Sequence, residues 1–155
     1  MTSTQESVIT SAEETPKHPF ERGLELYEQK APLEEVIPLF EQGVLLSPKD
    51  GTGYTCLSWL HLLQNQEADH DKALKYAQKA IKLEPGNYQA HFNLVLAMLV
   101  NGISGVRPEF LKALDKCRTE EELQEVIDNL KDASERCPDL KEPVKVLNWI
   151  QDIRK

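Results

Sequence analysis

Long apolar runs are missing from this sequence. The longest, around Leu94 to Val100, falls far short of the roughly 20 residues that span a bilayer, so no membrane insertion is expected. Cysteine is scarce as well. Cys56, Cys117 and Cys137 are odd in number, widely spaced and free of any Cys-x-x-Cys pair, which argues against a disulfide framework or a zinc site and suits a reducing, cytoplasmic setting. No dense Lys/Arg cluster interrupts a net charge of −8, so a phosphate backbone is repelled and nucleic acid is not an expected partner. Residues 1–18 lack the basic start, apolar centre and small-residue cleavage site of a secretion signal, and read as a disordered tail.

What remains is an ordinary globular composition. With 155 residues, 40% of them hydrophobic and 28% charged, the chain can build one domain with a real core, placed at residues 19–155. The sequence also repeats. Val36, Phe40, Gly43 and Pro48 have the spacing of Ala73, Ala77, Ala80 and Pro85, and again of Val126, Leu130, Ala133 and Pro138. Each set puts three small or apolar residues on one helical face and then a proline that stops the helix. A second pattern follows the first two prolines at a constant offset: Tyr54, Leu57, Ser58 and His61, then His91, Leu94, Val95 and Met98. Phe20, Gly23, Leu24 and Tyr27 offer a similar face for a first helix, and Val144, Leu147 and Asn148 for a last one.

Two segments lengthen the repeat. Asn65 to Asp71 reads as a longer surface turn with Asp71 capping the next helix. Ile103 to Arg118 is larger: Gly105 and Pro108 punctuate it, and Phe110, Leu111, Leu114 and Cys117 fall on one face of a short extra helix entered at Pro108. Thr119 and Glu122 have capping-box spacing, so a new helix starts there.

The pattern resembles the tetratricopeptide repeat, whose signature is an aromatic, a Leu-Gly pair and a Tyr on one helix, then Ala, Phe and Pro on the next. The best matches are Ala90-His91-Phe92-Asn93-Leu94 with Gly102 after it, and the run from Lys72 through Ala73, Tyr76, Ala77 and Ala80 to Pro85. The resemblance covers about Pro19 to Pro138 plus a terminal helix; the third repeat is interrupted, and the first has its Gly and Leu in reversed order. It implies an all-α fold, a right-handed α-solenoid of about three helix pairs with a C-terminal capping helix. Repeats fall at about 19–50, 51–87 and 88–140, the inserted helix at 107–118 and the terminal helix at 142–154.

Catalytic chemistry finds little footing. His61 and His91 occupy aromatic-like slots where stacking between helices is the ordinary role, and His70 sits between Asp69 and Asp71, which cannot all face one ion. Cys56 has no basic neighbour in sequence to activate it, and Gly51-Thr52-Gly53 reads as a turn without the lysine of a phosphate loop. No catalytic residue, metal or cofactor is assigned.

In stacked helix pairs the first helix of each lines the inner surface, where partners usually bind. The resemblance places Glu21, Glu25 and Glu28 there from the first pair, Thr55, Trp59 and Leu62 from the second, Phe92, Asn93 and Leu96 from the third, and Trp149 from the last helix. A groove acidic at one end and apolar at the other suits a peptide or helix with apolar anchors and basic character. Trp59, Phe92 and Trp149 could equally be core. Co-chaperones of the family clamp a carboxylate tail with Lys, Asn and Arg; here those positions hold Glu21, Glu25, Cys56, Gln89 and Asn93, so such a tail is repelled. The expected role is a monomeric adaptor, scaffold or assembly factor that binds another protein without catalysis. The alternatives are a permanent subunit docked through its last helix, and an enzyme or regulatory part built on a helical frame.

Overall fold

Prolines and capping side chains decide where the helices of this chain begin and end. A computed structural model describes residues 17–155, leaving most of the tail expected at 1–18 outside the described residues. It is all-helical, with eight helices among the described residues: α1 (Pro19–Glu28), α2 (Leu33–Leu46), α3 (Gly51–Gln64), α4 (Glu67–Leu83), α5 (Tyr88–Val100), α6 (Val106–Lys116), α7 (Glu120–Arg136) and α8 (Glu142–Arg154).

The helices α2, α4 and α7 each stop two residues before a proline, Pro48, Pro85 or Pro138. The residue ahead of a proline is disfavoured in helical geometry, and at these three places the chain turns out one step earlier, whereas Ile37 ahead of Pro38 stays helical inside α2. The three capping residues adopt one common backbone conformation: Ser47 at φ −132, ψ 68, Glu84 at −136, 80 and Cys137 at −129, 78. The repeat seen in the sequence is therefore also a repeat of backbone geometry.

Starts are set by side chains. Asp50 accepts from Thr52 N at 3.0 Å and Asn87 from Ala90 N at 3.1 Å. Gly51-Thr52-Gly53, expected as a turn, is consequently the first turn of α3. Asp71 is not a cap either. The helix α4 begins four residues earlier because Asp69 turns back to accept from Gln66 N at 3.0 Å, leaving Asp71 on the surface beside Lys75. Thr119 accepts from Glu122 N at 3.1 Å as the capping spacing predicts, while the Glu122 carboxylate takes Arg118 N instead of closing the box.

Helix α1 packs on α2, α2 on α3, α3 on α4, α4 on α5 and α5 on α6, each on its successor. The spacing residues Val36, Phe40, Ala73, Ala77, Ala80, Val126, Leu130 and Ala133 are all buried. Two apolar clusters result, one around Val36, Phe40 and Leu57, the other around Phe92, Phe110, Leu130 and Ile150. Helix α3 serves both, through Leu57 and Leu60 on one side and Leu62 on the other. Each fully buried Leu or Phe contributes roughly 1.5–3 kcal/mol, so these faces outweigh any single cap.

Three expectations need correcting. The sequence repeat assigns α7 as the partner of α5 and treats α6 as an insertion; α5 packs along α6, with the Phe92 and Phe110 rings edge to face at 6.3 Å, and touches α7 much less. On α6 the buried pair is Phe110 and Ala113, while Leu111 is half exposed, because the 3.6-residue turn carries the inward face through Ala113. On α8 the inward face is Pro143, Val146, Leu147 and Ile150, which leaves Val144 and Asn148 outside.

The path of α7 is the distinctive feature. Near its start, Glu125 accepts from Tyr88 Oη at 2.8 Å and from Gln89, at the beginning of α5. Near its end, Asp132 and Arg136 reach Tyr27 of α1, and the Cys137 thiol donates to Leu63 O at the end of α3 at 2.7 Å. The helix thus crosses diagonally over α5, α3 and α1.

Phe20 shows how tightly the first helices approach. Its ring is wedged against Gly43 of α2 and Gly53 of α3, and a Cβ at either position would run into the ring, which cannot retreat from one without striking the other. Gly53→Ala adds about 1 kcal/mol of helix propensity and loses about 1–3 kcal/mol to overpacking. The expected result is a lower urea midpoint, partly restored by adding Phe20→Leu; a midpoint at or above the parent's would contradict the wedge.

Candidate functional site

Between α7 and the helices it crosses lies a cavity of about 410 Å³. Leu24, Tyr27 and Glu28 of α1 form one wall, Cys56 and Trp59 of α3 the next, Gln89 and Phe92 of α5 the third, and Glu125, Asn129 and Leu130 of α7 the fourth. Phe40 of α2 closes the end near α1.

The side chains that hold this arrangement are polar and mutually bonded. The Trp59 indole N–H donates to Tyr27 Oη at 3.0 Å, while Tyr27 Oη reaches Asp132 at 3.5 Å, the outer limit for such a bond. Arg136 covers the face of the Tyr27 ring at 4.1 Å and donates to the Tyr27 carbonyl at 3.2 Å. Arg136 Nε lies 3.0 Å from Asp132 Oδ2 without aiming its N–H at that oxygen, so the two attract as charges and not through a formed hydrogen bond. Burial pushes the Tyr27 hydroxyl above its ordinary range. The Tyr88 hydroxyl is pushed up to about 12, by desolvation first and then by its Glu125 partner.

Six of the ten residues expected to meet a partner come to this cavity: Glu28, Thr55, Trp59, Phe92, Asn93 and Leu96. They do not come on equal terms. Phe92 and Leu96 are 3% and 1% exposed, so they belong to the core and only floor the cavity. Thr55 and Asn93 are also buried and are spent on joining α3 to α5: Asn93 donates to Thr55 O at 3.0 Å, and Asn87 donates to Thr55 Oγ1 at 3.1 Å. Leu62 is in the core outright. Trp149 stands apart from the cavity, edge to face with Phe110 at 5.3 Å and flanked by Arg107 and Lys145. Glu21 and Glu25 are exposed on α1 outside the cavity, Glu25 paired with Lys17. The open apolar groove read from the sequence is therefore narrower, because α7 forms one wall of it, and Trp59 and Tyr27 are its half-buried aromatics.

Tyr27, Glu125, Asn129 and Arg136 escaped the sequence reading as site residues. Tyr27 was visible as a repeat-face aromatic, but nothing local signalled that α7 returns to it.

The histidines are placed elsewhere. His61 is buried, stacks on Tyr76 at 5.6 Å as its slot suggests, and donates from Nδ1 to Asp69 at 2.6 Å. Gln64 also binds Asp69, so this carboxylate closes the turn between α3 and α4. Ser58, one turn before His61, gives its hydroxyl to Ala73 O at 2.8 Å. Asp69 points inward, His70 bonds Asn65 and Asp71 faces solvent, so the three diverge. No group of three or more possible metal ligands assembles among the described residues. The cavity joins Cys56 to carboxylates, but its lining includes no histidine.

No protein-family model matches the chain, and no curated protein matches it.

Cys56 reports on the cavity wall. Its thiol is pushed up to about 11, by burial first and by the Asp50 carboxylate second. The thiolate is the reactive form, so iodoacetamide at pH 8 is expected to modify Cys56 roughly 100-fold more slowly than in the urea-unfolded chain, the rate climbing as pH approaches 11. Peptide mapping of the alkylated protein checks this; rates within a few-fold of the unfolded chain would contradict a packed Cys56.

Proposed function

We propose that this chain is a tetratricopeptide-type binding module, a cytoplasmic adaptor, scaffold or assembly factor without catalytic role, which engages a segment of another protein at the mouth of the cavity beneath α7. The observation that carries the reading is the cavity itself: helices α1, α3 and α5 contribute side chains to one concavity, and its half-buried indole, Trp59, is the kind of anchor that dominates protein interfaces. The common backbone stop of α2, α4 and α7 supports the repeat assignment. A right-handed solenoid with α8 as its cap belongs to the same proposal, with α7 as the departure, folded across the array.

The alternatives have less behind them. A subunit docked through α8 would use Val146, Trp149, Ile150 and Ile153; Val146 and Ile150 are buried and Trp149 is half-buried, which leaves only Ile153 of the four exposed for such a contact. An enzyme that used Cys56 as nucleophile would need its thiol activated, and burial instead pushes that thiol up to about 11.

Selection of a displayed random-peptide library on the full chain tests the proposal. Peptides so obtained are expected to lose at least about tenfold in affinity for Trp59→Ala, with the urea midpoint of that variant followed separately, and to be indifferent to Lys72→Ala on exposed α4 surface. Equal binding to the parent and to Trp59→Ala would remove the cavity as the binding site.

A further inference from the structure

We infer that the cavity receives a cationic side chain, a guanidinium or ammonium on an alkyl stem, presented by the partner segment. The inference rests on the binding role proposed above and specifies what the segment must carry.

Charge is the first argument. Glu28 and Glu125 line the cavity, and among the described residues no Lys, Arg or His does. Arg136, over the Tyr27 ring, is already committed to that ring, the Tyr27 carbonyl and the Asp132 carboxylate, and neither glutamate is in a salt bridge among the described residues. A neutral or anionic guest would desolvate those carboxylates with nothing in return.

The walls supply the second argument. Half-buried Trp59 turns its indole to this space, with buried Phe92 only in the floor and one face of Tyr27 already taken by Arg136, and an aromatic face attracts cations while accommodating an apolar stem. A long basic side chain satisfies both features at once: its methylenes lie along the rings and its head meets the carboxylates. The third argument is preparation. Tyr88 and Gln89 each donate to a different oxygen of Glu125, holding the carboxylate in place before a guest arrives and lowering the cost of ordering it. At about 410 Å³ the space suits one such side chain with accompanying water, not a folded element.

The two tryptophans provide the readout, because Trp59 lines the cavity and Trp149 packs against Phe110 away from it. The ¹⁵N-labelled full chain is titrated with n-butylguanidinium, n-butylammonium, n-butanol and butyrate while both indole N–H signals are followed. The cationic probes are expected to shift the Trp59 signal saturably in the millimolar range and leave Trp149 still. Butanol and butyrate should bind at least tenfold more weakly, and Glu28→Gln with Glu125→Gln should weaken n-butylguanidinium about tenfold. Both glutamates are exposed, and an unmoved Trp149 signal confirms that the double variant is folded. No saturable shift at Trp59, equal shifts with butanol, or indifference to the double variant would overturn the inference. A second arm separates it from the binding role: in library-selected peptides, each Lys or Arg is replaced by norleucine. Loss of tenfold or more at one position supports the cation; full affinity after every replacement removes it and leaves the binding role standing. Saturable n-butylguanidinium binding with no peptide selected at all would spare the cation site and count against the peptide-binding role.

Discussion

Tyr27 ties α7 to the first helix across 109 residues of chain, and the cavity exists because of where that tie holds α7. Its hydroxyl takes the Trp59 N–H, its ring carries Arg136 and its carbonyl receives the same guanidinium. These contacts are individually modest, a cation–π pair being worth about 0.5–2 kcal/mol according to its exposure. The larger share of holding α7 comes from its buried face: Val126 and Leu130 share a core with residues of α5 and α8, and Ala133 is buried too. Apolar burial is not directional, however, and would tolerate α7 at several angles. The polar cluster at Tyr27 and the Glu125 bonds at the start of α5 select one diagonal.

That diagonal converts an open surface into a bounded one. Phe92 and Leu96 of α5 are buried in the core, while Trp59 is half-buried and the two glutamates stay exposed. Helix α7 therefore covers part of this apolar surface and leaves a smaller space with Glu28 and Glu125 in its lining. An exposed apolar groove of the full length would also invite association; the crossing helix removes most of it.

Much of the helical framework was legible in the residues. The prolines at 48, 85 and 138 marked three stops within two residues, and the small-residue faces ahead of them are buried as their spacing implies. Local chemistry sufficed there, because a proline or a cap acts within one turn. The start of α4 was missed because Asp69 acts twice, as cap for Gln66 N and as partner for His61, and the second role is invisible without the fold. The placement of α7 was missed for a different reason. Its own face, Val126, Leu130 and Ala133, reads the same whether it packs beside α5 or across the array, and only the distant Tyr27 decides. With α6 occupying the place along α5, periodicity alone had no means of redirecting its successor.

The crossing of α7 is what the account stands on, and nuclear Overhauser contacts between the Tyr27 ring and Arg136 test it most directly. With the guanidinium 4.1 Å from the ring centre, cross-peaks to the Arg136 side-chain protons should be present, and those protons should be shifted upfield by the ring current. Finding neither, with the α7 amides still protected from exchange, would place this helix elsewhere and dissolve the cavity with it.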